Sequence, residues 1–408
     1  MKKQALSARP ENRHIILICA VVLFEFISFG IANPILPQLI GDLNQTTIPT
    51  AAYVFAIFLV SDTIHFFWAP ALGTLSDRLG RRRILVVSVI GLSIGSTTRF
   101  FADQIYIFLL VSVVYGFVSA TLSTAMSSAS DVAGKDRRTV VFGWITGCAV
   151  SGYTIGPIIG GIASDFDNRL PFLIAAIIGV LNLLFVVFFL KETLPPEKRQ
   201  KRSIGLNSLP FAAIGRQPRY IKMMLSLFFL SHFVMSMPHT FVVIYLIDRF
   251  SWSGTMIGAG LAMHMFVSAF GQLVISGWLS RKWSELKVTL VSIVVSAIFL
   301  ILLGLGDLTF IILASFALFG IIAMVIPASA SLISVNTPPE NQGEIQGVLA
   351  SMMGLSRIVS FGAFGPVFAI VLDRSASPLF SGLPFVFVGV SLLIFVAWVR
   401  NRIPQQPA

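Results

Sequence analysis

A ruler about 20 residues long decides most of what this chain can fold into. A helix that crosses a hydrocarbon core about 30 Å thick needs about 20 mostly apolar residues at 1.5 Å rise each. Twelve stretches meet that length: 15–38, 50–72, 84–101, 104–130, 139–164, 170–190, 220–247, 254–279, 286–305, 308–335, 344–371 and 379–399. They are continuous apolar runs, unlike the ten-residue alternations of membrane β-barrels. An all-α membrane protein of twelve transmembrane helices is therefore predicted. Only 12% of the 408 residues are charged, about half the share of a soluble domain. That excludes a cytosolic enzyme, a disordered regulator and a nucleic-acid binder, despite the net charge of +11. The first stretch is too long for a signal-peptide core and has no small-residue cleavage site after it, so it is read as retained. Both cysteines, Cys19 and Cys148, lie in apolar stretches. No disulfide framework, metal site or cofactor is expected.

The basic residues set the orientation. Of the 29 Lys and Arg, 24 fall in the N-terminal tail, the 2–3, 4–5, 6–7 and 8–9 loops and their edges, and the C-terminus. The opposite loops hold Arg169, Arg249 and Arg374, and Arg99 and Arg357 lie inside spans. Positive charge marks the cytoplasmic side, which predicts a multi-pass cell-membrane protein with both termini in the cytoplasm.

The longest hydrophilic stretch, 191–219, sits near the middle and separates six spans from six. The expected organisation is an N-terminal half at 1–190, a cytoplasmic linker at 191–219 and a C-terminal half at 220–408. The halves resemble each other at an offset of 204 positions: Gly73-Thr74-Leu75-Ser76 matches Gly277-Trp278-Leu279-Ser280, Pro34 matches Pro238, and Gly143 matches Gly347. Internal repeats of this kind mark secondary transporters, whose binding site lies between the repeats near the midplane.

Two motifs sharpen this reading. Between spans two and three the chain reads Gly73-Thr74-Leu75-Ser76-Asp77-Arg78-Leu79-Gly80-Arg81-Arg82-Arg83. Gly73 permits close helix approach, Asp77 falls at a helix end, and Gly80 permits a tight turn. Arg78, Arg81 and Arg82 can pair with acids or anionic headgroups. In span five, Gly152, Gly156 and Gly160 fall four apart and Gly161 follows, forming a stripe without side chains. Pro157 lets that helix bend. The first motif resembles the loop signature of the major facilitator superfamily. The second is similar to the signature of its proton-coupled antiporters. Further likeness is nearest to the tetracycline–proton antiporters: Glu25 with Gly30, Pro34 and Pro37; Asp131, Arg138 and Gly143; Arg249-Phe250-Ser251-Trp252; Gln272; and Gln342-Gly343 with Gln346-Gly347. The resemblance implies two pseudo-symmetric six-helix halves and alternating access, with the Asp77 and Arg78 loop stabilising one access state. There are departures. Ser112 stands where that group has arginine, Gly95 and Ser296 where it has acids, Ser268 where it has histidine, and His65 where it has glutamine. They argue against tetracycline as the substrate and leave antiport in place.

Ionisable groups inside a bilayer are costly and are functional candidates by default. Glu25, Asp62 and Arg357 each fall about 16–20 Å into their spans at helical rise. Desolvation makes Glu25 a carboxylate able to gain and lose a proton, unless it pairs with Arg357. Asp62 and His65, three apart, share a helix face. They are read as a cavity-lining pair and not as part of a hydrolase, because groups on one helix cannot converge on a scissile bond. Glu25 and Asp62 are the proton-coupling candidates; Asn33, His65, His264, Gln272 and Arg357 are the substrate-binding candidates. His232 and Arg99 are weaker. The expected function is export of a small amphipathic compound in exchange for protons, by a monomer. The alternatives are a symporter or facilitator for an anionic metabolite held by Arg357, and a non-transporting membrane sensor or scaffold. In a background with both native cysteines replaced by serine, single cysteines at Asn44, Asp103 and Asp307 should react with impermeant maleimide added outside intact cells. Those at Arg82 and Lys201 should not. Outside labelling at position 82 would reverse the orientation.

Overall fold

The computed structural model describes residues 10–33, 35–47, 50–199, 209–250, 252, 254–306, 308–373 and 378–400. Pro34, Lys201, Ser251, Asp307 and Arg374, used above, lie outside them. The described chain is helical without strands. The first half comprises α1 (Pro10–Ala32), α2 (Leu36–Leu43), α3 (Thr50–Leu79), α4 (Arg81–Phe101), α5 (Ile105–Val118), α6 (Thr121–Val132), α7 (Arg138–Ser164) and α8 (Leu170–Phe189). A six-residue helix, α9 (Pro210–Gly215), precedes the second half: α10 (Arg219–Phe250), α11 (Gly254–Phe270), α12 (Ser276–Leu279), α13 (Glu285–Leu305), α14 (Thr309–Phe319), α15 (Val325–Val335), α16 (Gln342–Asp373) and α17 (Pro378–Arg400). Among the described residues, nine stretches are long and apolar enough to cross a membrane. The expected spans 220–247, 254–279 and 344–371 are also helical, in α10, α11–α12 and α16.

Four spans depart from the uninterrupted helices expected. The first stops at Ala32 and resumes as α2. The fourth breaks between Val118 and Thr121, where Ser88 of α4 substitutes for the lost ladder. Its Oγ donates to the carbonyl of Val118 at 2.6 Å and accepts from the amide of Ala120 at 3.1 Å. A side chain from a neighbouring helix thus satisfies backbone groups that lipid cannot. The eighth contains a π-helical turn at Gly271–Ile275, and the tenth a 3-10 turn at Gly320–Met324.

The motif expected as a loop between spans two and three is nearly all helix. Residues 73–79 are the end of α3, and Gly80 alone separates them from α4. Gly80 adopts φ 104°, a left-handed conformation that favours glycine. The Glu192 carboxylate lies directly against it. That carboxylate also accepts the amides of Arg81 and Arg82 at 2.9 and 3.3 Å, capping the start of α4.

Glycines set the helix seams. Side chains at Gly152 and Gly156 would strike the backbone of α1 at Leu23, Ile27 and Gly30, and Gly160 lies against Ile31. Between the halves, Gly73 abuts Gly343, Gly347 abuts Ala69, and Gly143 abuts the Gln272 carbonyl. The repeat-related pair Gly143 and Gly347 thus each touch backbone of the opposite half. Among the described residues, the hydrogen bonds between the halves lie from this end, where the basic loops gather, up to a pair at mid-span. Gly156→Leu should push α7 off α1, because an isobutyl group cannot occupy a backbone contact. Insertion should be normal, with stability lower by about 1–3 kcal/mol and coupling lost. Thermal denaturation and transport assays check it.

Candidate functional site

The site is built from a lock at the basic end and a polar cluster above it. At the basic end, Asp77 ends α3 and caps α16 across the interface. Its Oδ1 accepts the Gly343 amide at 2.7 Å and its Oδ2 the Glu344 amide at 2.9 Å. These are two of the amides a helix start leaves unpaired. Arg81 holds Asp77 from behind, donating at 2.5 Å, and bonds Asp131 of α6 at 3.0 Å. Asp77 and Arg81 are both essentially unexposed. The motif's ion pair therefore involves Arg81, while Arg78 is exposed and Arg82 reaches the Val187 carbonyl. Arg138 adds a second tie across the interface, donating to the Ser334 carbonyl at 2.7 Å.

α9 bridges the same seam. Phe211 meets Phe66 and Phe67 of α3 edge-on, with centroids 5.6 and 6.5 Å apart. Arg216, just after it, pairs with Glu344 of α16. Farther along α3 and α16, Ser351 bonds the Phe66 carbonyl at 2.6 Å.

At mid-span the α3–α16 seam ends in a bidentate ion pair. Arg357 donates to the Asp62 carboxylate through Nε at 2.9 Å and Nη2 at 2.5 Å. The alternative pairing of Arg357 with Glu25 is not formed, because Asp62 faces Arg357 directly across the seam. The Arg357 side chain is nevertheless 38% exposed, so it borders open space in the middle of a spanning helix. Around it stand Tyr115 of α5 and Tyr153 of α7. Phe29 of α1 packs against both rings, at 6.0 and 5.9 Å. His65, one turn from Asp62, is half-buried and lies beside the backbone of Ser119 at the α5–α6 break.

Glu25 is buried beside this cluster at 5% exposure. The Thr121 hydroxyl, in the first turn of α6, donates to its Oε2 at 2.7 Å. Among the described residues no cation pairs with it. The interrupted fourth span therefore carries the partner of Glu25 and borders His65.

The other sequence candidates lie elsewhere. Asn33 is buried at the end of α1, its amide nitrogen without a partner among the described residues. His264 is fully buried and stacked on Phe319 at 5.9 Å. Gln272 is buried within the π turn, donating to the Ser268 carbonyl at 3.3 Å. Neither of these two borders open space here. His232 bonds the Phe228 carbonyl at 2.9 Å. Sequence reading missed Thr121, Tyr115, Tyr153 and Phe29. The scarcity of tyrosine, six in the chain, was the available signal, since two of the six meet at this site.

Comparison with known proteins agrees with this architecture. A family model described as Major Facilitator Superfamily matches residues 18–361 and 224–408. The class C tetracycline resistance protein of Escherichia coli is 28% identical over 386 residues, covering 94% of this chain and 95% of that protein. Multidrug resistance protein 2 of Bacillus subtilis (strain 168) is 24% identical, covering 97% and 95%. In structure, the chain is similar to the human organic anion transporter MFSD10, with TM-score 0.84 and 18% identity over 96% of this chain and 100% of that one. It is also similar to the transporter FucP in the outward conformation, with TM-score 0.76 and 12% identity over 96% and 99%.

Asp62→Asn should leave the Arg357 guanidinium without its counter-charge and lower stability by about 1–3 kcal/mol. Asp62→Asn with Arg357→Gln should recover most of that loss, as a melting series on the three purified variants would reveal.

Proposed function

The chain belongs to the Major Facilitator Superfamily, and from that premise we propose a proton-coupled exporter of a small amphipathic compound, working by alternating access. The observation that carries the proposal is Glu25. An ionised carboxylate buried without a cation is costly, and a proton removes the cost. Glu25 is enclosed at mid-span with one hydroxyl donor and, among the described residues, no ion pair. Such a group changes charge as water reaches it from one side or the other. Asp62, by contrast, is committed to Arg357. We assign it to closing the seam between the halves, with proton transfer left to Glu25.

In this reading the described conformation is closed at the basic end, and the charge distribution makes that end cytoplasmic. Asp77 capping α16, Arg138 on Ser334 and the Asp62–Arg357 pair form the closed gate. The aromatic space around Phe29, Tyr115 and Tyr153 would hold the apolar part of the substrate, with His65 and Arg357 at its polar edge. A proton arriving from outside neutralises Glu25, the gate opens inward, and substrate binding accompanies proton release. Homologues named for tetracycline and multidrug resistance support the export direction. The same pairing speaks against the rival, import of an anion anchored by Arg357, because Asp62 already occupies the guanidinium fork.

Counterflow in proteoliposomes against a chemically diverse panel, with and without a pH gradient, identifies the substrate. With it in hand, Glu25→Gln should abolish pH-driven uptake into inverted vesicles while binding persists, and Glu25→Asp should retain part of the rate. Full proton-driven uptake by Glu25→Gln would overturn the carrier role.

A further inference from the structure

The two cysteines play no part in the function proposed above, yet the fold brings them together. α1 and α7 run side by side from the basic end, and the glycine stripe fixes their register. Gly152 lies against Leu23 and Ile27, Gly156 against Gly30, and Gly160 against Ile31. One turn back from Gly152 on the same face of α7 is Cys148; one turn back from Leu23 on α1 is Cys19. This register sets the two thiols facing each other across the seam as neighbours. Both are free thiols and only partly buried.

We propose that Cys19 and Cys148 form a bidentate site for soft thiophiles of the trivalent organoarsenical class, closing a ring of two sulfurs over one arsenic. The chemistry balances without an oxidant. An arsenoxide, R–As=O, loses both bonds to oxygen as two As–S bonds form, the two thiol protons leave with that oxygen as water, and arsenic stays trivalent. The site suits this ligand for two reasons. Soft thiolate donors select soft acceptors. The reagent is also neutral and apolar, so it partitions into the surroundings of the pair, where a charged ion would pay a desolvation cost. Both helices belong to one half and meet backbone to backbone, so the ring closes without movement of the halves. Cys19 lies six residues before Glu25 on α1, about 9 Å of helical rise.

The test uses the purified full-length protein in detergent, treated with phenylarsine oxide. Intact-mass spectrometry counts the adducts, and maleimide added in sodium dodecyl sulfate counts the remaining thiols. One phenylarsenic group per chain is expected, with both cysteines shielded, and 2,3-dimercaptopropanol should return both to maleimide. Cys19→Ser and Cys148→Ser should each weaken retention on the order of 10²-fold or more, because the second sulfur supplies its effective concentration. Size-exclusion profiles verify that both variants remain folded. Two maleimide-reactive thiols after treatment, or equal retention by either serine variant, would overturn the site. The readout is chemical stoichiometry, so it stands or falls apart from the transport reading.

Discussion

The contact between the two halves of this protein depends on one carboxylate capping a helix that belongs to the other half. Asp77 ends α3, and its two oxygens take the first free amides of α16. The approach is possible only because Gly73 and Gly343 let backbone meet backbone beside it. It holds in a buried setting because Arg81 supplies the countercharge and is in turn steadied by Asp131. A carboxylate at a helix N-terminus gains from both hydrogen bonds and the helix dipole. Neither partner is consumed within its own half. The contact is therefore an interaction between halves that can be made and broken as a unit.

From that contact the α3–α16 seam runs inward through Ala69, Phe66 and Asp62, closing like a zip whose last tooth is the Asp62–Arg357 pair. The proposed coupling site begins where the zip stops. Glu25 sits on a different helix and meets α6 through Thr121, at the break in the fourth span. That break is supported by Ser88 of α4 and bordered by His65 of α3. A change of charge at Glu25 is thus felt first by an irregular segment, which can repack more readily than a continuous helix.

The apolar helices, the Gly73-to-Arg83 motif and the glycine stripe were legible in the sequence, because each is a local pattern with a period or a spacing. Gly80 as the turn and Asp77 as the helix end follow from residue type alone. The partner of Arg357 was not legible. Asp62 and Glu25 are equally deep, and only the register of α3 on α16, 295 residues apart, chooses between them. The break at Ser119-Ala120 was also hidden, since neither residue is glycine or proline and its support comes from α4. Residues 73–79 were expected as a loop because the apolar run ends at 72 and the motif resembles a loop signature. With Gly343 packed against Gly73, this stretch continues α3 as helix.

The distance in sequence between Asp77 and its partners also orders the birth of the molecule. The Gly343 amide is 266 residues downstream, about 13–53 s of synthesis at 5–20 residues per second. Glu192, which caps α4, emerges 111 residues after Arg81, so the first half can complete its own end while the second is still on the ribosome. Throughout that interval Asp77 has only Arg81 and water for company. This contact between the halves is among the last that the nascent chain can make, and each half must reach the membrane able to wait for the other.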